Sequence, residues 1–222
     1  MNGVNSMVNV IWHGHACVEV RLSSGLSIVF DPHDGASLGI PKPKALADIV
    51  LISHDHFDHN ATSAVAKPQA KVFKMSLGEI VLDSIKIEGL PSYHDKSKGA
   101  QRGTNVIYVL EAEQLKLVHL GDLGDEPEPP VLTKISEANL LIVPVGGTFT
   151  IGPSEAWQLV EKTRPINVMP IHYATKGLRL PLRPVDDFLK QVKKGYEVKR
   201  LEVNSFNLKD YKNTVIVPKP PV

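Results

Sequence analysis

Residues 54–59 read His-Asp-His-Phe-Asp-His, directly after the apolar, β-branched run Ile49 to Ile52. Such a run fits a strand covered on both faces, and it breaks off at Ser53 into the polar segment. The motif has the form H-x-H-x-D-H, which these His and Asp frequencies would produce by chance on the order of once in a thousand such chains. A solvated surface turn would crowd like groups with nothing to pair them, and a cation removes that difficulty. Neutral imidazole suits borderline divalent metals and a carboxylate adds charge. Residues two apart in extended or tightly turned backbone can point the same way. His54 and His56 can therefore share one ion, while Asp58 and His59 turn toward another.

Three further candidates lie at the ends of expected strands: His94, Asp122 in Leu120-Gly121-Asp122, and His172 after Val168 to Ile171. Ligands at the carboxyl ends of several strands converge on one sheet edge. The expected strands are Val8 to Trp12, Cys17 to Leu22, Leu26 to Phe30, Ile49 to Ile52, Lys71 to Phe73, Glu79 to Leu82, Ser84 to Leu90, Asn105 to Leu110, Leu115 to Leu120, Leu140 to Val145, Val168 to Ile171 and Thr214 to Val217. Helices are expected over Asn60 to Ala66, Pro130 to Ile135, Ser154 to Thr163 and Pro184 to Lys193. Early hairpins followed by alternating strands and helices predict two packed sheets flanked by helices, an α+β arrangement. The polar segment Asp95 to Gly103 reads as a mobile loop, and Pro218 to Pro221 as a frayed tail.

The order and spacing of His54, His56, Asp58, His59, His94, Asp122 and His172 resemble the metallo-β-lactamase-fold hydrolases, the superfamily that includes glyoxalase II and RNase Z. The resemblance covers nearly the whole chain. It implies a four-layer αββα sandwich with a dinuclear site: His54, His56 and His94 on one metal, Asp58, His59 and His172 on the other, and Asp122 bridging. Trp12-His13-Gly14-His15-Ala16, Asp31-Pro32 and Gly121-Asp122-Leu123-Gly124 are further similar to the small hydrolases resembling ascorbate-6-phosphate lactonase, although His13 stands where that pattern usually has an apolar residue. His15 is a candidate for contact with a ligand or substrate, and Asp31 for an acceptor orienting a ligand imidazole. Which of His13 and His15 faces the site stays open. His33 and His119 read as structural, and Cys17 as a small buried hydrophobe on a strand.

The resemblance implies a metal-bridging hydroxide, with Asp58 as the group that moves its proton. Two divalent ions, zinc first with manganese or iron as alternatives, would leave the site slightly positive and suited to a small anionic ester, lactone or phosphoester. The chain's 25 Lys+Arg against 24 Asp+Glu, formal charge +1, give no field for a nucleic-acid backbone. That charge and the absence of an added clamping domain disfavour an RNase Z/J-like nuclease. A flavin-linked diiron protein would carry Glu in place of His56. A non-catalytic, metal-stabilised binding module would be favoured by a missing ligand, and all seven are present. Neither an apolar run of roughly 18 residues nor a leader in Met1 to Asn9 is found, so a single domain over 1–222 acting on a small molecule in the cytoplasm, away from membranes, is expected, with oligomeric state open. The single Cys17 agrees with a reducing compartment.

Overall fold

The computed structural model describes residues 7–221. Most of the first nine residues, read above as lacking a leader, therefore lie outside the described residues. Six strands form the first sheet: β1 (Asn9–Trp12), β2 (Val18–Arg21), β3 (Ser27–Phe30), β4 (Ala47–Ile52), β5 (Ala66–Lys74) and, much later in the chain, β13 (Ser205–Asn207). The second has eight: β6 (Gly78–Leu82), β7 (Ile85–Tyr93), β8 (Thr104–Ala112), β9 (Leu115–His119), β10 (Leu140–Pro144), β11 (Asn167–Ile171), β12 (Glu197–Arg200) and β14 (Thr214–Val217). Their spatial orders are β13-β1-β2-β3-β4-β5 and β12-β14-β11-β10-β9-β8-β7-β6. Hairpins make β1 to β3 and β6 to β9 antiparallel, whereas β3-β4-β5 and β9-β10-β11-β14-β12 run parallel.

Alternation along each strand decides what meets what. On β3, Ile28 and Phe30 point into the space between the sheets, and on β4 so do Ile49 and Leu51. There they join Ile87, Tyr108, Leu110 and Leu117 in one buried apolar cluster. The opposite faces carry Val29, Val50 and Ile52, covered by Ala45 and Val65 from the flanking loops. β4 is thus buried on both sides, which is why it reads as an unbroken apolar run. Helices α1 (Pro129–Ile135), α2 (Pro153–Thr163) and α3 (Val185–Leu189) pack together, α2 against β10, with Ala156, Trp157, Leu159 and Val160 buried at helical spacing. The expected α+β sandwich of two mixed sheets is the fold that forms, with its helices beside the second sheet.

Four local expectations are corrected. The helix expected over Asn60 to Ala66 is a single 3-10 turn, Thr62–Ala64, and the chain is already extended from Ala66, where Pro68 holds Lys67 in extended backbone. β5 then runs from Ala66 and tolerates Pro68 because it lies at the sheet edge. The helix expected over Pro184 to Lys193 ends at Leu189, and its continuation closes tighter turns, Gln191 N–H to Phe188 and Val192 N–H to Leu189. Pro218 to Pro221 is not frayed: Pro218 is buried and Lys219 N–H donates to the Val203 carbonyl at 3.0 Å.

The fourth correction concerns the segment after His94. Asp95 folds it into a closed loop, accepting Ser97 and Gly99 N–H on Oδ1 and Gln101 and Arg102 N–H on Oδ2, at 2.7 to 3.1 Å. A carboxylate facing four amides substitutes for the missing secondary structure. In Asp95→Ala these four amides should exchange with solvent about 10-fold faster or more, as expected when charge-assisted bonds are lost. Hydrogen-exchange mass spectrometry over 96–103 measures this, and unchanged protection would show that other contacts hold the loop.

Candidate metal centre

Every candidate sits where a strand stops. Gly14 and His15 follow β1, Asp31 follows β3, Ser53 and the motif follow β4, His94 follows β7, Asp122 lies three residues beyond β9, and His172 follows β11. Both sheets therefore contribute, and they meet only if the loops come close. A Cβ on Gly121 would stand 2.4 Å from Asn105 Oδ1 and 2.6 Å from the Ser53 side chain, and one on Gly124 would stand 2.2 Å from the His94 carbonyl carbon. Glycine at these two positions lets the Asp122 turn lie directly against the motif and His94.

Two main groups of donors result, and a third, Asp31 with His54 and His59, overlaps both. The ligating atoms of His54, His56 and His94 fall within 4.8 Å of one another, as do those of His15, Asp58, His59 and His172. Asp122 stands between them. Its Oδ2 lies 3.1 Å from His172 Nε2, 3.3 Å from His94 Nε2, 3.4 Å from His59 Nε2 and 3.8 Å from His54 Nε2. All these residues are buried except His56, which is half-buried. The geometry thus brings together all seven positions expected from the sequence, and adds His15 to the second group.

The surroundings fix how the rings point. Ser53 donates its backbone N–H to Asp31 Oδ1 and its hydroxyl to Asp31 Oδ2, both at 2.7 Å, so its oxygen is left to accept from His54 Nδ1–H at 2.9 Å. That leaves the His54 Nε2 lone pair aimed into the cluster with no hydrogen-bond partner, like the buried His59 Nε2 and Asp122 Oδ1. Buried acceptors without donors, converging from the loops after β4 and β9, are what a cation satisfies, so the residues fit a bound divalent metal. His59 Nδ1 lies 3.2 Å from Asp31 Oδ2, off the hydrogen-bond direction. Asp31 thus touches both the Ser53–His54 chain and His59.

Electrostatics prepare most of these groups for a ligand set, His59 excepted. Burial would lower it, but Asp122, Asp31 and Asp58 around it hold its imidazole well above the usual range, so it must give up a proton to a metal. Burial, and then neighbouring His59, push His54 down to about 3. Burial and then His172 do the same to His15, also to about 3, so both rings are neutral at physiological pH. Burial would raise Asp58, but the hydrogen bond from His15 and the nearby His59 ring hold it well below the carboxylate range. His54, His15 and Asp58 thus already have the form metal binding needs, neutral imidazole and ionised carboxylate.

The backbone is strained here. His15, Asp31 and His172 have φ of 51°, 44° and 52°, and they are the only buried members among the described non-glycine residues at positive φ. Each such conformation costs about 1 to 3 kcal/mol. The strain is held by neighbours: His172 N–H donates to the His15 carbonyl at 3.0 Å, and Trp12 Nε1–H donates to the same oxygen at 3.1 Å.

The remaining histidines separate cleanly. His13 faces away, its Nε2 3.0 Å from buried Glu19, which also accepts from Arg21 and Ser27. The open choice between His13 and His15 thus falls to His15. His119 is tied at both nitrogens, to the Ala16 carbonyl and by Gly121 N–H, and stacks on Phe30; His33 meets the His13 carbonyl. Both are structural. Cys17 is buried just before β2.

Several residues at the centre escaped the sequence reading. Asn105 accepts Asp122 N–H on Oδ1 and donates to Ser92 Oγ and the Leu120 carbonyl, fixing the Asp122 turn. Ser53 has been described. A cleft of about 270 Å³ opens over the centre, lined by His56, Phe57, Asp58, His94, Arg102, Asp122, Phe149 and Leu180. A larger hollow of about 490 Å³ lies by His13 and Glu19, where His13, Glu19 and Arg21 are paired with one another.

Two sheets whose strand-end loops converge on a buried His/Asp cluster define a metal-dependent hydrolase of the metallo-β-lactamase fold. The comparisons agree: residues 9–172 match the β-lactamase superfamily domain. The chain belongs to the UPF0173 metal-dependent hydrolases of that superfamily. It is 32% identical over 194 residues to such a hydrolase from Thermococcus onnurineus, covering 76% of this chain and 86% of the relative. A Myxococcus xanthus member is 30% identical, over 75% of this chain and 70% of its own length. A crystal structure from Thermotoga maritima, described as a Zn-dependent hydrolase of the superfamily, superposes with a TM-score of 0.74 at 34% identity, over 95% of this chain and 98% of that one. Among the described residues no helix is long and apolar enough to cross a membrane.

If Asp31 orients the imidazoles, Asp31→Asn, which keeps the tolerance for a left-handed backbone but removes the charge, should weaken zinc affinity by about 10- to 100-fold. Competition with a chromogenic chelator reads this directly. Wild-type affinity in the variant would remove Asp31 from the assignment.

Proposed function

We propose that this centre takes two divalent ions and hydrolyses a small anionic ester, lactone or phosphoester. His54, His56 and His94 would hold one ion and Asp58, His59 and His172 the other, with Asp122 shared. The observation that carries this reading is the place of Asp122 Oδ2, within 3.1 to 3.8 Å of imidazole nitrogens from both groups. Zinc is proposed, from the nitrogen-rich donor set and by likeness to the Zn-dependent hydrolase described for Thermotoga maritima. Bound divalent ions supply Lewis acidity and bring a water's pKa toward neutrality.

The chain's own residues then handle the proton. Asp58 faces the cleft and is held ionised, so it accepts a proton from the attacking water as the new O–C or O–P bond forms, and returns it to the leaving oxygen as the old bond breaks. His15 Nε2, 3.0 Å from Asp58 Oδ2 and fully buried, fixes that carboxylate's direction. No Ser or Cys nucleophile is needed. One apolar core shared by both sheets supports reading the chain as a single domain.

The test is a hydrolysis panel of lactones, esters, thioesters and phosphodiesters, run on zinc-, manganese- and iron-reconstituted protein with metal content measured alongside. Turnover of an ester, lactone or phosphoester only in protein carrying about two ions per chain is the expected result. Fully metallated protein that turns over none of the panel would favour the binding-module reading.

A further inference from the structure

We propose that Arg102 is the specificity-determining residue of the cleft and receives a carboxylate or phosphate borne by the substrate away from the bond that is cleaved. This deepens the hydrolase reading and rests on it for the identity of the cleft. The floor of the cleft is His56, Asp58, His94 and Asp122, and its rim is Phe57, Phe149, Leu180 and Arg102. An apolar rim with one cation fixes a ligand's orientation by charge and its body by contact.

Arg102 is built into that rim. The loop carrying it is closed by Asp95, which accepts the Arg102 backbone N–H at 2.7 Å, and Asp95 directly follows His94. The guanidinium carbon lies 4.5 Å from the centre of the Phe149 ring, a stacking that guanidinium favours because it is weakly hydrated. Its loop neighbours Lys96 and Lys98 are paired, with Glu155 and Glu128, whereas Arg102 has no carboxylate partner among the described residues. A planar cation seated on an aromatic face, with its donor fork unengaged, is suited to a bidentate oxyanion. The cleft, at about 270 Å³, restricts the rest of that molecule to a small, partly apolar body against Phe57, Phe149 and Leu180.

The experiment compares wild type, Arg102→Gln and Arg102→Lys, all zinc-loaded. Calorimetric titration with 4-phenylbutyrate and benzylphosphonate reads binding without turnover, and the two probes separate carboxylate from phosphate recognition. Arg102→Gln should weaken at least one probe by about 10- to 30-fold, the usual scale for a lost charge-assisted bond, and Arg102→Lys should recover only part of it. In parallel, the ratio of kcat/KM for mono-4-nitrophenyl glutarate to that for the neutral 4-nitrophenyl butyrate should fall by about the same factor in Arg102→Gln, through KM. Both probes binding Arg102→Gln within about threefold of wild type, or equal losses on charged and neutral esters, would overturn the proposal. Arg102-dependent binding with no ester hydrolysed would support the subsite and count against the hydrolytic reading alone.

Discussion

Asp58→Asn should retain the ion that His54, His56 and His94 are proposed to hold and lose turnover by about 100-fold or more, the usual contribution of positioned acid-base catalysis. The substitution is nearly isosteric. The amide can still face His15, whose Nε2 lies 3.0 Å from Asp58 Oδ2, so the loop has no reason to rearrange. What disappears is a basic oxygen over the cleft floor. The measurement is kcat on the best substrate found, with metal content determined on the same sample so that ion loss and proton-transfer loss are separated. Near-normal kcat with intact metal would show that the proton travels by another group, and His15 would be the first to examine.

Asp122→Ala should have the larger effect on the molecule itself. Its Oδ2 stands against four imidazole nitrogens contributed by both sheets, so its loss leaves neither group complete. Wild type in free metal at about 100 times Kd gains about 2.7 kcal/mol, which for a chain of this size raises Tm by about 5 to 11 °C. In Asp122→Ala most of that metal-dependent rise should vanish, and stoichiometry should drop below two ions per chain. Thermal scans with and without chelator, beside elemental analysis, give both readouts. An alanine variant that still binds two ions would end the shared-carboxylate assignment.

The centre was readable because metal ligation leaves a local trace. Four of its residues lie within six positions, and the others stand at strand ends that apolar runs disclose. The support around them leaves no such trace. Asn105 looks like any strand residue until its amide is seen bridging Ser92, Leu120 and Asp122. Ser53 is an ordinary strand terminator whose hydroxyl happens to join Asp31 to His54. Strands β12 and β13 went unread for a related reason: β12 is Glu-Val-Lys-Arg, fully exposed at the sheet edge, and only pairing with β14 makes it a strand. β13 is three residues long and exists through its register with β1, nearly 200 residues away in the chain. The order of the 95–103 loop depends on one buried carboxylate that composition counts as merely polar.

The left-handed backbones at His15, Asp31 and His172 set the evolutionary terms for this scaffold. Asparagine or glycine would relax each of these positions, and each exchange would remove an imidazole or carboxylate that nothing else replaces. A duplicated copy freed from its task would drift downhill toward such exchanges, gaining robustness as it lost its chemistry. Descendants that kept the sandwich but abandoned the reaction should therefore carry their first scars at these three sites rather than in the core.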